Sequence, residues 1–295
     1  MTTVSDDLTR PRRTVLYLPG ANARALEKSR TLDADSLILD LEDAVAPDAK
    51  ATAREQVAAA VDAGGFGHRE VLVRVNAADT AWFEPDIAAV AAAPPDGVLV
   101  PKVSSAADVA EVEAALAAAG APADLPLWAM LETPRAVLDA AAVTAASDRL
   151  VGFVMGTNDL AKELRAAHVP GRAPLLPSLT WCLLAVRDAG KTIVDGVYND
   201  LDDAEGFAAE CRQAVELGFD GKTVIHPRQL DACNAAFTPT DSEVAHASRV
   251  IEAFEAASAE GRGVVTVDGK LIENLHVEQA RRTLAVVQAV AAQEG

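Results

Sequence analysis

From Thr14 to about His226 the chain alternates short apolar runs with Ala-rich amphipathic stretches. The runs are Thr14–Leu18, Ser36–Leu41, Glu70–Val75, Gly97–Val100, Leu127–Leu131, Leu150–Met155, Thr192–Val197 and Gly221–Ile225. Most span four to six residues and are nearly continuous in hydrophobicity. That is the pattern of strands in a parallel sheet covered on both faces. Between them Ala51–Ala63, Ala106–Ala119, Arg135–Ala146 and Ala204–Leu217 read as helices, with Ser104/Ser105 and Asp202/Asp203 positioned as caps. Eight strand–helix units predict an α/β fold of the (β/α)8 barrel type, for which roughly 220 residues is an ordinary size. A doubly wound sheet with fewer strands is the rival, but no GxGxxG follows the first run.

The last sixty or so residues read differently. Residues 240–260 carry helical periodicity (Val244, Ala247, Ile251, Phe254), broken at Gly261–Gly263. Val264–Val267, Asp268-Gly269 and Lys270–Ile272 read as a hairpin, because Asp-Gly between apolar runs favours a type I′ turn. A final helix spans about His276 to Ala292. The expected organisation is an N-terminal tail over 1–13, a barrel over 14–235, and a lid or oligomerisation extension over 236–295.

Composition narrows the function classes. Among 295 residues, 44 acidic side chains face 26 basic ones, a net charge of −18. Phosphate-neutralising Lys and Arg are too few for a nucleic-acid binder. The 50% hydrophobic and 24% charged content suits a protein with a substantial core. Cys182, Cys211 and Cys233 are odd in number and lack CxxC spacing, so a reducing cytoplasm is expected and the three read as small buried apolar residues. Asp6, Asp7, Arg10, Arg12 and Arg13 stand where a signal peptide would be apolar, and no run reaches the roughly 20 residues needed to span a bilayer. No membrane association is expected.

Barrel enzymes work at the C-terminal ends of their strands, so polar residues there are singled out by position. These are Asp40, Glu42 and Asp43; Arg74 and Asn76; Lys102; Glu132; Asn158 and Asp159; Asp195; and His226. Glu132 and Asp159 end consecutive strands. They either hold a hard cation such as Mg2+ or cap the helices begun by Pro134 and Leu160, and both readings stay open. With no Cys or His beside them, zinc and copper are disfavoured. Arg74 and Lys102 emerge from apolar strands, where an unpaired charge is costly. Nearby carboxylates or an anionic substrate would partner them, and for Arg74 the substrate is preferred. His226 reads as a general base or as a structural hydrogen-bonding residue, whereas His68, His168, His246 and His276 read as surface residues. Ser-His-Asp order, HExxH and P-loop motifs are absent.

At this point a resemblance enters. Leu16-Tyr17-Leu18-Pro19-Gly20 with Lys28, and Leu39-Asp40-Leu41-Glu42-Asp43-Ala44-Val45, look like the opening of citrate lyase beta-subunit-like proteins. Arg74-Val75-Asn76, Val100-Pro101-Lys102, Leu131-Glu132-Thr133-Pro134, Gly156-Thr157-Asn158-Asp159-Leu160, Gly218-Phe219-Asp220-Gly221-Lys222 and Ile225-His226-Pro227 continue the match in order. The tail Val267-Asp268-Gly269-Lys270-Leu271-Ile272-Glu273 is similar to the family's lid, and the resemblance runs from Arg13 to about Leu284. It implies a (β/α)8 barrel, usually a homotrimer or a dimer of trimers, with Mg2+ (or Mn2+) on Glu132 and Asp159. It further implies Arg74, Glu132, Lys28 and Tyr17 on the substrate, and Asp43, with Asp40 and Glu42, near metal-bound waters. Two positions depart from the pattern: Glu273 stands where characterised relatives deliver a lid Asp into the neighbouring subunit's site, and Asn22 where some have Arg.

The activity implied is reversible carbon–carbon cleavage of an acyl-CoA thioester such as malyl-CoA, β-methylmalyl-CoA or citramalyl-CoA. The products are acetyl-CoA or propionyl-CoA and a small 2-oxo acid, glyoxylate or pyruvate. Arg74 would stabilise the enolate oxygen, Glu273 would transfer the proton, and Asp43 stands next in line as the base. The alternatives are a malyl-CoA thioesterase, distinguished by free malate as product, and a citryl-acyl-carrier-protein lyase subunit, distinguished by its need for carrier subunits. A barrel kept as a non-enzymatic scaffold would have lost its strand-end residues, and here they are present.

Overall fold

In the computed structural model, which describes residues 10–294, the expected barrel is present. Its strands are β1 (Thr14–Pro19), β2 (Ser36–Asp40), β3 (Glu70–Arg74), β4 (Gly97–Val100), β5 (Leu127–Leu131), β6 (Leu150–Met155), β7 (Thr192–Asp195) and β8 (Gly221–Val224). All pair in parallel and in sequence order, and β1 pairs with β8 to close the sheet. The surrounding helices are α1 (Ala23–Ser29), α2 (Lys50–Ala63), α3 (Phe83–Ala92), α4 (Ala106–Ala118), α5 (Pro134–Leu138), α6 (Ala140–Thr144), α7 (Thr157–Leu164), α8 (Leu176–Asp188), α9 (Ala204–Leu217) and α10 (Leu230–Phe237). The single helix expected over Arg135–Ala146 is two, because Asp139 leaves helical geometry (φ −99°, ψ 15°) to end α5 and start α6. Ser105 and Asp203 are the N-caps of α4 and α9.

The period of two along each strand sorts the side chains. One set packs outward under the helices, for example Leu16, Leu37, Val73 and Ala129. The other set fills the barrel: Val15, Ile38, Leu72, Leu99, Trp128, Met130, Val154 and Val194. Below this layer, Arg12 forks onto Glu70 (2.7 Å for both bonds), Ser36 donates to Glu70 (3.1 Å), and the Arg12 guanidinium lies 5.1 Å from the Trp128 ring centre. Arg13 pairs with Asp35 (2.8 Å). Both arginines, placed in the tail by the sequence, therefore belong to the barrel unit. A hydrophobicity pattern does not register charged residues that are buried as pairs. Residues 1–9 of the expected tail lie outside the described residues.

A buried ionic group lies outside the barrel wall. Asp195 on β7 and Lys222 on β8 are register partners, joined at 2.9 Å. Arg172 places Nη1 2.7 Å from Asp195, and Lys222 reaches Glu210 of α9 at 2.7 Å. Two acids and two bases thus share one dry region.

The chain divides into two compact units, Arg12–Phe237 and a C-terminal unit from Thr238 onward. In the latter, α11 (Asp241–Ala259) and α12 (Asn274–Glu294) pack on each other with the hairpin β9 (Val265–Val267) and β10 (Lys270–Ile272). Ala247, Val250, Val267, Ile272, Val277 and Ala280 form its core. Asp268 (φ 51°) and Gly269 (φ 78°) adopt the left-handed geometry of the hairpin turn. Among the described residues no helix is long and apolar enough to cross a membrane.

Lys222→Met removes the ammonium while keeping most of its volume, which leaves Asp195 with Arg172 as its one remaining cation in a dry site. We expect a loss of about 3–5 kcal/mol in unfolding free energy by urea denaturation. A loss below about 1 kcal/mol would show that the group is not energetically coupled.

Candidate active site

The inward set of side chains turns polar at the C-terminal end of the barrel. Two residues beyond Ile38 comes Asp40, two beyond Leu72 comes Arg74, and Met130 is followed by Glu132. These residues line a cavity of about 320 Å³ with Tyr17, Asp43, Ala44, Met155, Gly156, Thr157, Asn158, Asp159, Val197, Asn199, Thr223 and Ile225.

Arg74 is buried and donates Nε and Nη2 to the two oxygens of Asp40, each at 2.7 Å. Its Nη1 approaches Glu42 at 2.8 Å and Asp43 at 3.8 Å. The guanidinium carbon stands 4.9 Å from the Tyr17 ring centre. Burial alone would push the Asp40 carboxyl up, but Arg74 and the N–H groups of Glu42 and Ala44 outweigh it and hold the group below the usual range. Burial, with Arg74 and nearby carboxylates working in opposite senses, pushes the Tyr17 hydroxyl well up, so the phenol stays protonated. The sequence preferred a substrate partner for Arg74. The structure gives the guanidinium carboxylate partners first while leaving it on the cavity wall.

Glu132 and Asp159 both line this cavity. Neither caps a helix: Thr133 caps α5 through Ala136 N–H (3.0 Å), and Asp159 lies inside the first turn of α7. Of the two readings left open, helix capping is thereby removed. Glu132 accepts a bond from the Lys102 N–H (2.7 Å), and Lys102 Nζ lies 3.3 Å from Asp159 and 4.0 Å from Glu42. Gly156 makes room for Glu132, since a Cβ there would sit 2.3 Å from its Oε2. Burial, reinforced by neighbouring acids, pushes both Glu132 and Glu42 up to about 7 despite Arg74. Around this mouth Asp40, Glu42, Asp43, Glu132 and Asp159 outnumber Arg74 and Lys102. Among the described residues no three His, Cys, Asp or Glu side chains gather as a ready-made metal cage.

Other residues singled out from sequence have supporting roles. Asn76 accepts from Lys50 (2.7 Å) and donates to the Leu41 carbonyl, while Lys50 also binds the carbonyls of Leu41 and Glu42 (2.8 Å each). Together they tie down the loop that carries the acids. Lys50 directly precedes the Ala-rich stretch Ala51–Ala63 and carries no strand-end signal, so position gives no reason to select it. Arg172 was likewise unselected, being a loop residue whose partners come from β7 and α9. His226 accepts from the Arg228 N–H (3.1 Å) and caps a helical turn, the structural role of the two considered. Asn22 caps α1 through Ala25 N–H (3.0 Å). Lys28 is exposed on α1 and does not line the cavity. Glu273 is exposed in the C-terminal unit, where its N–H donates to His276 (3.0 Å). All three cysteines are buried.

Comparison with known proteins places this site in context. The model of the HpcH/HpaI aldolase/citrate lyase family matches residues 13–227. A (3S)-malyl-CoA thioesterase of Cereibacter sphaeroides is 52% identical over 282 residues, covering 96% of each chain. The citrate lyase subunit beta of Escherichia coli is 39% identical over 282 residues, covering 94% of this chain and 93% of its own. Among solved structures, protein CitE from Mycobacterium tuberculosis, in complex with magnesium, acetoacetate and coenzyme A, superposes with a TM-score of 0.77 at 30% identity, covering 95% of this chain and 99% of its own. A family model spanning the barrel, and relatives well above 30% identical along nearly the whole length, agree with the resemblance read from the strand-end motifs: the chain belongs to the HpcH/HpaI aldolase/citrate lyase family.

Proposed function

We propose that this protein is a Mg2+-dependent enzyme that hydrolyses (3S)-malyl-CoA or a close relative to the free hydroxy acid and coenzyme A. What carries the reading is one cavity holding Arg74, Glu132 and Asp159, in a chain 52% identical to a malyl-CoA thioesterase. The sequence put carbon–carbon cleavage first and hydrolysis as the alternative, and that identity reverses the order. Cleavage to acetyl-CoA and glyoxylate stays as the second reading, favoured by the 39% identity to a citrate lyase beta subunit.

The residues fit a hard divalent cation. Glu132 and Asp159 offer carboxylate oxygens, and the local excess of acid calls for positive charge. When bound, Mg2+ (or Mn2+ in its place) supplies Lewis-acid polarisation of substrate oxygens. Arg74, locked by Asp40, holds a fixed positive charge where the thioester carbonyl oxygen becomes anionic. Tyr17 buttresses the guanidinium and adds apolar wall for the acyl chain. In hydrolysis, water bonds to the thioester carbon, the carbon–sulfur bond breaks, and the water's proton passes by way of a carboxylate to the departing thiolate. We assign that carboxylate to Glu273, with Asp43 as the barrel's own alternative, and Lys28 to the coenzyme A phosphates. A homotrimer, or a dimer of such trimers, is the assembly we propose, with coenzyme A thioester and small acid as the partners.

Incubation of purified protein with Mg2+ and malyl-CoA, followed by mass analysis, separates the readings. Free malate and coenzyme A are expected, whereas glyoxylate and acetyl-CoA alone would overturn hydrolysis. Glu132→Ala and Asp159→Ala should each abolish turnover and weaken Mg2+ binding with the barrel still folded by circular dichroism. Near-normal activity at low Mg2+ in either would refute the ligand assignment. Arg74→Lys keeps the charge but loses the planar fork, so kcat should fall at least about 10²-fold. Normal kinetics with only a lower Tm would make Arg74 purely structural. Glu273→Gln should stop turnover while Mg2+ binding survives, and Glu273→Asp should retain substantial activity. Full activity in Glu273→Gln would transfer the proton-handling role to Asp43.

A further inference from the structure

Lys102 touches both carboxylates assigned to the cation, by two different parts of the residue. Its backbone is left-handed (φ 55°), a conformation uncommon for residues other than glycine and somewhat strained for a long side chain. That geometry accompanies a short bond from the N–H to Glu132 Oε1 (2.7 Å). Its ammonium meanwhile lies 3.3 Å from Asp159 Oδ2 and 4.0 Å from Glu42. The backbone therefore orients one acid while the side chain neutralises the other.

The two contacts differ in permanence. Glu132 is buried, so its bond to the Lys102 N–H is sheltered from water. The Lys102 side chain is 43% exposed and Asp159 26%, so the ammonium can swing into solvent without leaving a buried charge behind.

We propose that Lys102 is a positioning residue with a placeholder cation. Without metal its ammonium compensates Asp159, and a divalent ion must displace it, while the backbone N–H keeps Glu132 aimed throughout. The proposal rests on the reading that Glu132 and Asp159 hold the cation. Lysine thereby lowers metal affinity while preventing mutual repulsion of the acids in the empty site. An arginine at this position would keep the competing charge, whereas a neutral residue would end the competition.

Mn2+ titration followed by electron paramagnetic resonance tests this without reference to turnover. Lys102→Met removes the ammonium and keeps the strained backbone, and Lys102→Gly removes the ammonium and the strain together. Both should bind Mn2+ about fivefold more tightly than the parent protein, the upper range for a solvent-accessible ion pair. Lys102→Arg should bind as the parent does. Unchanged or weaker binding in both neutral variants, with native circular dichroism, would overturn the placeholder role while leaving the carboxylate assignment intact. Asp159→Asn serves as the separate control. If it binds Mn2+ as tightly as the parent, the two-carboxylate reading fails and the placeholder role fails with it.

Discussion

The arrangement at the barrel mouth depends on the buried pair between Arg74 and Asp40. A guanidinium at the top of a closed barrel has lost most of its water and must be paired. Asp40 takes both of its parallel donors, and removing one member of such a pair typically costs about 3–5 kcal/mol. Asp40 also accepts the N–H groups of Glu42 and Ala44, so the same carboxylate shapes the loop beyond its own strand. Lys50 and Asn76 hold that loop by its carbonyls. This loop carries Glu42 and Asp43 to Arg74, where Glu42 adds an ion pair of its own.

The pleat of the sheet extends this logic along the barrel axis. Alternate residues build three stacked layers: Arg12, Glu70 and Ser36 at one end, apolar side chains in the middle, and Arg74, Asp40, Tyr17 and Glu132 at the other. The polar ends have opposite characters. At the first end charges meet as hydrogen-bonded partners, while the other end faces a cavity. Gly156 is the vacancy in the upper layer: with no Cβ, it leaves the space that Glu132 occupies.

Charge at the open end is unbalanced where charge beside the barrel wall is balanced. Asp195 and Glu210 meet Arg172 and Lys222 one for one, and there burial's upward push on Asp195 is overcome by its two cations, holding that carboxyl below its ordinary range. At the mouth the acids are in excess, and Glu42 and Glu132 are pushed up to about 7. A group with its charges matched is built for stability. One with uncompensated acids facing a cavity is built to receive a cation or a proton.

The order and number of strands, and the positions at their ends, were legible in the sequence because they rest on local regularities. Continuous apolar runs specify buried strands, and the period of two carries Ile38 to Asp40 and Leu72 to Arg74. The Asp268-Gly269 turn was legible for the same reason, its conformation being encoded in two adjacent residues. Pairing was not legible, because a charge's partner depends on closure of the sheet. Glu70 meets Arg12 from 58 positions away, and Arg172 meets Asp195 only after the whole of α8 has intervened. Spacing alone allowed Glu132 to be a helix cap, and only folding gave that task to Thr133 and turned Glu132 toward the cavity. Sequence determined which residues arrive at the mouth through short-range periodicity, and tertiary structure decided which charges meet there, because burial forces each one to find a partner.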